Sequence, residues 1–264
     1  MKNKLGALKN IIEGYGSLAV AFSGGVDSSF LLAVAREVLG DKAAAVMARA
    51  PVCPVREELG ADLFCKSRGI TLIEVFPDLL DSAAFKTNPP DRCYHCKKML
   101  MGAIKMAAHE NGFEYVAEGS NADDVNDYRP GMRALSELGI KSPLREAGLT
   151  KAEIRALSRE MGLPTWDKPA LACLATRFPY GDAITEKGLR AVDAAEAFLH
   201  DMGIKQLRVR VHGSLARIET EPKDMLKILE NREIIAKRFH EIGFVYVSLD
   251  LDGFASGSMN RILK

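Results

Sequence analysis

Apolar and polar positions follow two rhythms along this chain. Ser17 to Phe22 (Ser-Leu-Ala-Val-Ala-Phe) is a short apolar run that stops at a glycine pair, and Ser29 to Leu39 then carries apolar residues at helical spacing. The pattern predicts strand, tight loop and helix. Gly40 closes that helix, Ala43 to Ala48 supplies a second apolar strand, and Pro54 opens a helical stretch reaching Arg68. A third strand is expected over Thr71 to Val75, a helix over Cys93 to His109, and a fourth strand over Glu114 to Ala117, which leads into the polar loop Glu118 to Arg129. Thr150 and Glu153 have the spacing of a capping box for a helix to Met161.

Strands alternating with helices imply an α/β fold: a parallel sheet built through right-handed crossovers, with helices on both faces and ligands beyond the carboxyl ends of the strands. Leu163 to Pro169 holds two prolines and the only tryptophan, and after Pro179-Tyr180-Gly181 the order of elements changes. We expect one domain over 1–180 and a small α+β domain over 181–264. The latter reads as a helix (Thr185 to Met202), strands at Gln206 to Val211 and Leu215 to Glu219, a helix from Pro222, and a last strand near Phe244 to Leu249.

A length of 264 residues suits this division. The formal charge of +1 builds in no general attraction to nucleic acid or to an anionic membrane. No apolar stretch reaches a membrane span and the amino terminus lacks a signal-peptide core, so a cytoplasmic location is expected. Five cysteines, an odd number in a chain large enough to fold without disulfides, point to metal binding or chemistry.

Ser23-Gly24-Gly25-Val26-Asp27-Ser28 follows a predicted strand and precedes a predicted helix, where backbone N–H groups and the helix dipole hold a polyphosphate. No Gly-Lys-Ser/Thr ending is present, which disfavours kinase-type use of ATP. The six residues resemble the PP-loop of N-type ATP pyrophosphatases, which split ATP into AMP and pyrophosphate while adenylating a carbonyl or carboxyl oxygen. That resemblance implies that Ser23 to Ser28 hold pyrophosphate and that Asp27 helps place magnesium. Asp124, in the loop after the fourth strand, is the second magnesium candidate.

Cys93 and Cys96 sit three residues apart at a helix start, on one face, where both can bind one metal centre. Cys173 is the obvious third thiol, and three thiolates suggest a [4Fe–4S] cluster with one open iron. Zinc with His95 as fourth ligand is the alternative. Cys53 and Cys65 read as packing residues.

The PP-loop, Gly119-Ser-Asn-Ala-Asp-Asp124, Asp127-Tyr-Arg-Pro-Gly131, Ala172-Cys-Leu-Ala-Thr-Arg177 and Gly257-Ser-Met-Asn260 together resemble the LarE family over nearly the whole chain. These are ATP-dependent pyridinium-3,5-biscarboxylic acid mononucleotide sulfurtransferases, which help assemble the nickel-pincer nucleotide cofactor of lactate racemase. The resemblance implies either that Cys173 attacks the adenylate and gives up its own sulfur, or that a cluster on Cys93, Cys96 and Cys173 carries a transferable sulfide. It also implies a homo-oligomer, a hexamer in relatives. The substrate keeps a phosphate. Alternation over Gln206 to His212 sets Arg208, Arg210 and His212 on one face as an anion site, with Arg177 close in sequence to Cys173. A tRNA thiolase, an ammonia-using PP-loop synthetase and a non-enzymatic ATP sensor are the competing readings, and the near-neutral charge counts against the first.

Overall fold

The computed structural model describes residues 1–126, 130–169, 173–255 and 257–258. The chain divides into two compact units, one of Met1–Ala50, Val55–Leu79 and Asp91–Leu171, the other of Pro51–Pro54, Leu80–Pro90 and Ala172–Lys264. Cys93 and Cys96 belong to the first unit and Cys173 to the second.

The first unit is built on β1 (Leu18–Ala21), β2 (Ala43–Ala48), β3 (Leu72–Val75) and β4 (Tyr115–Ala117), in the order β3-β2-β1-β4. Every pairing is parallel, with Leu18 opposite both Ala43 and Tyr115. Beyond β4, a parallel bridge joins Ala117 to Lys141. The central strands are apolar throughout because both faces are covered. Leu18 and Val20 enter one core with the helices Lys2–Glu13, Val26–Leu39, Val55–Ser67 and Lys151–Glu160. Ala19 and Ala21 enter the other, against Ile104 and Ala107 of the helix Arg92–Glu110 and Leu135 of the helix Pro130–Leu138. Each large apolar side chain buried this way contributes about 1.5–3 kcal/mol before entropy is counted.

The α/β class, the four strands and the main crossover helices follow the sequence pattern. The capping box is present: the Glu153 N–H donates to Thr150 Oγ1 at 3.3 Å and the Thr150 N–H to Glu153 Oε2 at 2.9 Å. The helices Lys2–Glu13 and Pro130–Leu138 are additional to that pattern.

The second unit holds β5 (Leu207–His212), β6 (Leu215–Thr220) and β7 (Tyr246–Leu249), in that order across the sheet. β5 and β6 form an antiparallel hairpin and β6 pairs with β7 in parallel. Helices Glu186–Asp201, Pro222–Glu230 and Arg232–Ile242 accompany them. The helical run expected from Pro222 breaks at Asn231, and Gly243 (φ 117°) closes its second half in a left-handed conformation that favours glycine. No described helix is long and apolar enough to cross a membrane.

Candidate active site

In the first unit the chain runs outward from β1 to β2 and β3, then returns to place β4 on the other side of β1. The carboxyl ends of β1 and β4 therefore flank a topological switch point, the crevice where open α/β sheets bind ligands. Ser23 to Ser28 lie at one lip. Gly24 has φ 70°, and a Cβ there would stand 3.3 Å from both Ala61 Cβ and the Glu57 carbonyl oxygen. Gly25 is the N-cap of the helix Val26–Leu39 and offers no capping side chain, so first-turn amides remain available to an anion. Ser28 Oγ accepts from the Ser23 N–H at 3.3 Å, donates to the Gly25 carbonyl at 3.3 Å, and sits 3.1 Å from Ser23 Oγ.

The loop after β4 forms the other lip. A Cβ on Gly119 would lie 3.0 Å from the Ser28 nitrogen and 3.1 Å from Asp27 Cβ, so only glycine lets the two loops approach this closely. Asn121 bridges them: its Nδ2 donates to Asp27 Oδ1 at 3.4 Å, and its backbone N–H to Asp124 Oδ2 at 2.9 Å. Asp123 Oδ2 accepts the Lys151 backbone N–H at 2.8 Å, and the Lys151 ammonium pairs with Asp27. Lys168 donates to the Gly24 carbonyl at 3.0 Å and pairs with Glu57. Buried Glu118 accepts from Ser142 Oγ at 2.7 Å and from Ser120 Oγ at 2.9 Å, and lies 3.7 Å from Lys97 Nζ, tying this loop to the helix that carries Cys93 and Cys96. Lys151 and Lys168 escape the sequence reading because only tertiary contact over 124 and 144 positions gives them a role.

Among the described residues no group of three His, Cys, Asp or Glu side chains gathers as a metal site. Magnesium does not require one, since it is held by one or two carboxylates together with substrate phosphates. Asp27 and Asp124, both bonded to Asn121 beside the phosphate loop, fit that requirement.

Cys93 and Cys96 occupy the first turn of the helix Arg92–Glu110, Cys93 exposed and Cys96 buried. Buried Arg92 sets a guanidinium nitrogen 3.7 Å from Cys93 Sγ. His95 Nε2 lies 3.2 Å from Asp91 Oδ2. Two thiols one turn apart fit two ligand positions of a cluster. The described residues bring them no third ligand of the His, Cys, Asp or Glu kinds within this unit. Cys65 is buried in the core, and burial pushes its thiol up to about 12, which makes it inert. Cys53 is half-buried beside Val52, whose carbonyl accepts the Leu174 N–H at 2.9 Å.

Exposed Cys173 caps a 3₁₀ turn, Leu174–Arg177, in the second unit. Arg177 is buried and forms a two-pronged pair with Glu196 at 2.8 and 2.7 Å, while its Nη1 donates to the Cys173 carbonyl at 3.1 Å. Glu196 also accepts the Val209 N–H of β5 at 2.9 Å. Arg210 donates to the Thr176 carbonyl at 2.8 Å, to Glu219 at 2.8 Å and to Ser258 Oγ at 2.9 Å. Both arginines thus pin the Cys173 turn to β5 and neutralise a buried acid. Arg208 differs. Among the described residues it forms no ion pair; it lies over the Phe254 ring at 5.1 Å, and burial, reinforced by Arg177, pulls its pKa down to about 10. Its Nη1 donates to the Leu207 carbonyl at 2.6 Å, and Glu196 and Glu219 oppose the shift without reversing it. Of the remaining family-like blocks, 127–129, Ala172 and Met259-Asn260 lie outside the described residues.

A glycine loop with open helix amides at an α/β switch point, facing paired carboxylates, defines an enzyme of the PP-loop class. No protein-family model matches the chain. It is 25% identical over 170 residues to a component of the glutamine-hydrolysing GMP synthase of Archaeoglobus fulgidus, spanning 55% of that protein. An uncharacterised protein of Synechocystis sp. is 40% identical over 97% of both chains. Pyridinium-3,5-bisthiocarboxylic acid mononucleotide synthase of Lactiplantibacillus plantarum is 39% identical over 93% of this chain and 90% of its own. The chain belongs to the family of that synthase, LarE, the sulfur-transferring synthases of the PP-loop class.

Proposed function

We propose that this enzyme uses ATP to adenylate a carboxylate of pyridinium-3,5-biscarboxylic acid mononucleotide and exchanges the activated oxygen for sulfur, in assembly of the nickel-pincer nucleotide of lactate racemase. The observation that carries the reading is the Ser23–Ser28 loop with its uncapped helix amides at the β1/β4 switch point. In the first step the carboxylate oxygen bonds to the α-phosphorus and pyrophosphate leaves. In the second a sulfur nucleophile attacks the acyl carbon and AMP leaves.

The Ser23–Ser28 amides would hold the departing pyrophosphate, with magnesium on Asp27 and Asp124. Arg208 would take the substrate phosphate, while Arg177 and Arg210 fix the Cys173 turn. Cys173 would then act in one of two ways. If it is the nucleophile, it forms a thioester as AMP leaves, and β-elimination, in which a base takes the Cα proton as the Cβ–S bond breaks, leaves the thiocarboxylate and dehydroalanine. Alternatively Cys173, with Cys93 and Cys96, would hold a [4Fe–4S] cluster, a group that would supply sulfide-level sulfur to the acyl adenylate. We place the enzyme in the cytoplasm as a homo-oligomer acting on a small molecule.

Anaerobic turnover with ATP and the dicarboxylated nucleotide tests this. AMP, pyrophosphate and thiocarboxylate are expected together; AMP formation without sulfur in the product would sink the reading. Intact mass separates the sulfur sources: a loss of about 34 Da at Cys173 marks sacrifice of its sulfur. An unchanged chain with an iron–sulfur absorption band marks the cluster.

A further inference from the structure

The phosphate loop lacks the lysine of Walker-type loops, yet two lysines reach it from far along the chain. Lys168 is committed to the Gly24 carbonyl and to Glu57, so it shapes the loop. Lys151 is different. Its backbone is anchored at the start of the helix Lys151–Glu160 by the Asp123 carboxylate and the neighbouring capping box, but its side chain is about one-third exposed (31%) and its ammonium pairs with Asp27. Asp27 is also a carboxylate that fits magnesium. Lysine ammonium and magnesium are both cations, and the same carboxylate oxygens cannot serve both at full strength.

We propose that Lys151 is the resident counter-ion of Asp27 in the nucleotide-free enzyme and exchanges that carboxylate for a phosphate oxygen when magnesium and ATP enter. The proposal rests on the ATP reading above. Three features support it. A polyphosphate arriving beside Asp27 meets like charge, and an ammonium already at that carboxylate offsets it. The four-carbon stem has the rotatable bonds to move its ammonium about an anchored backbone, and the side chain's partial exposure leaves room for it. Asn121 Nδ2 stays on Asp27 Oδ1 at 3.4 Å, which keeps the carboxylate oriented after the lysine departs.

The test is Lys151→Met, which keeps the stem and removes the charge. Manganese, standing in for magnesium, is titrated into nucleotide-free protein and followed by electron paramagnetic resonance. Without its competitor it should bind about two- to fivefold tighter, the worth of a part-exposed ion pair. ATP-dependent AMP formation should fall on the order of a hundredfold. A lysine with a merely structural role predicts no tightening, so unchanged or weaker manganese binding in the variant overturns the proposal. Lys151→Gln repeats the measurement should Lys151→Met fold poorly, and Asp27→Asn should abolish the tightening in either background. A wild type that binds no ATP overturns the ATP reading and the exchange with it. A wild type that forms AMP no faster than Lys151→Met overturns the exchange alone.

Discussion

Arg208 and Arg210 stand two positions apart on β5, and their neighbours make them chemically distinct. Arg210 faces buried Glu219 and the Thr176 carbonyl, whereas Arg208 lies over Phe254 and forms no direct ion pair among the described residues, with Glu196 and Glu219 acting on it at longer range. Replacing Arg210 with Ala strands Glu219, which is fully buried, and should cost about 3–5 kcal/mol in a chemical denaturation midpoint. Arg217, 3.0 Å from the same carboxylate, softens that loss. Arg208→Ala should leave the midpoint nearly unchanged and raise KM for the phosphate-bearing substrate on the order of tenfold or more, the value of a charge-assisted phosphate contact. If Arg208→Ala instead lowers only the rate constant at saturation, the phosphate lies elsewhere. Alternation along the strand was enough to place Arg208 and Arg210 on one side. It could not tell them apart, because Glu219 reaches Arg210 from the next strand.

Elements were legible where local chemistry decides them. β1 and β2 are short apolar runs bounded by glycine or turn residues, and their burial on both faces follows from composition. Thr150 and Glu153 signal a helix start, and Thr150→Ala should cost about 1 kcal/mol, read as a lower melting temperature. The helix Pro130–Leu138 was hidden because Pro-Gly reads as a turn, although proline in the first turn has φ already set for a helix. Contact between loops is invisible locally. Gly119 sits in an ordinary polar stretch, yet any Cβ there would strike the Ser28 nitrogen, which belongs to backbone and cannot swing aside. Gly119→Ala should therefore weaken ATP binding by roughly tenfold or more in calorimetry, with a smaller change in global stability than in affinity. Gly131→Ala is the contrasting control, because its Cβ would meet Lys97 Cδ at 2.8 Å, a flexible side chain that yields.

At the scale of the whole molecule, a net charge of +1 conceals how the charges are spent: in the second unit Glu196 and Glu219 cancel Arg177 and Arg210 internally. The same burial is expected to make the second unit sensitive to acid. His212, at the end of β5, has a buried Nε2 without a hydrogen-bond partner among the described residues, and its pKa is lowered first by burial and then by Arg217, with Arg210 adding to the effect. Asp182 and Glu219 oppose the shift without reversing it. Because the folded pKa lies below the ordinary value of 6.5, the unfolded chain takes up the proton first as pH falls. The stability tied to neutral His212 is thus complete above pH 6.5 and is lost as pH drops through that value toward the folded pKa. Trp166, the single tryptophan, reports unfolding of the first unit, so the measurement needs a second probe: amide exchange in β5 and β6. Between about pH 7.5 and 5.5, a window spanning the ordinary histidine pKa, those amides should lose protection in the wild type, and His212→Gln should lose less over the same interval. Equal losses in the two proteins would assign the acid sensitivity to other groups.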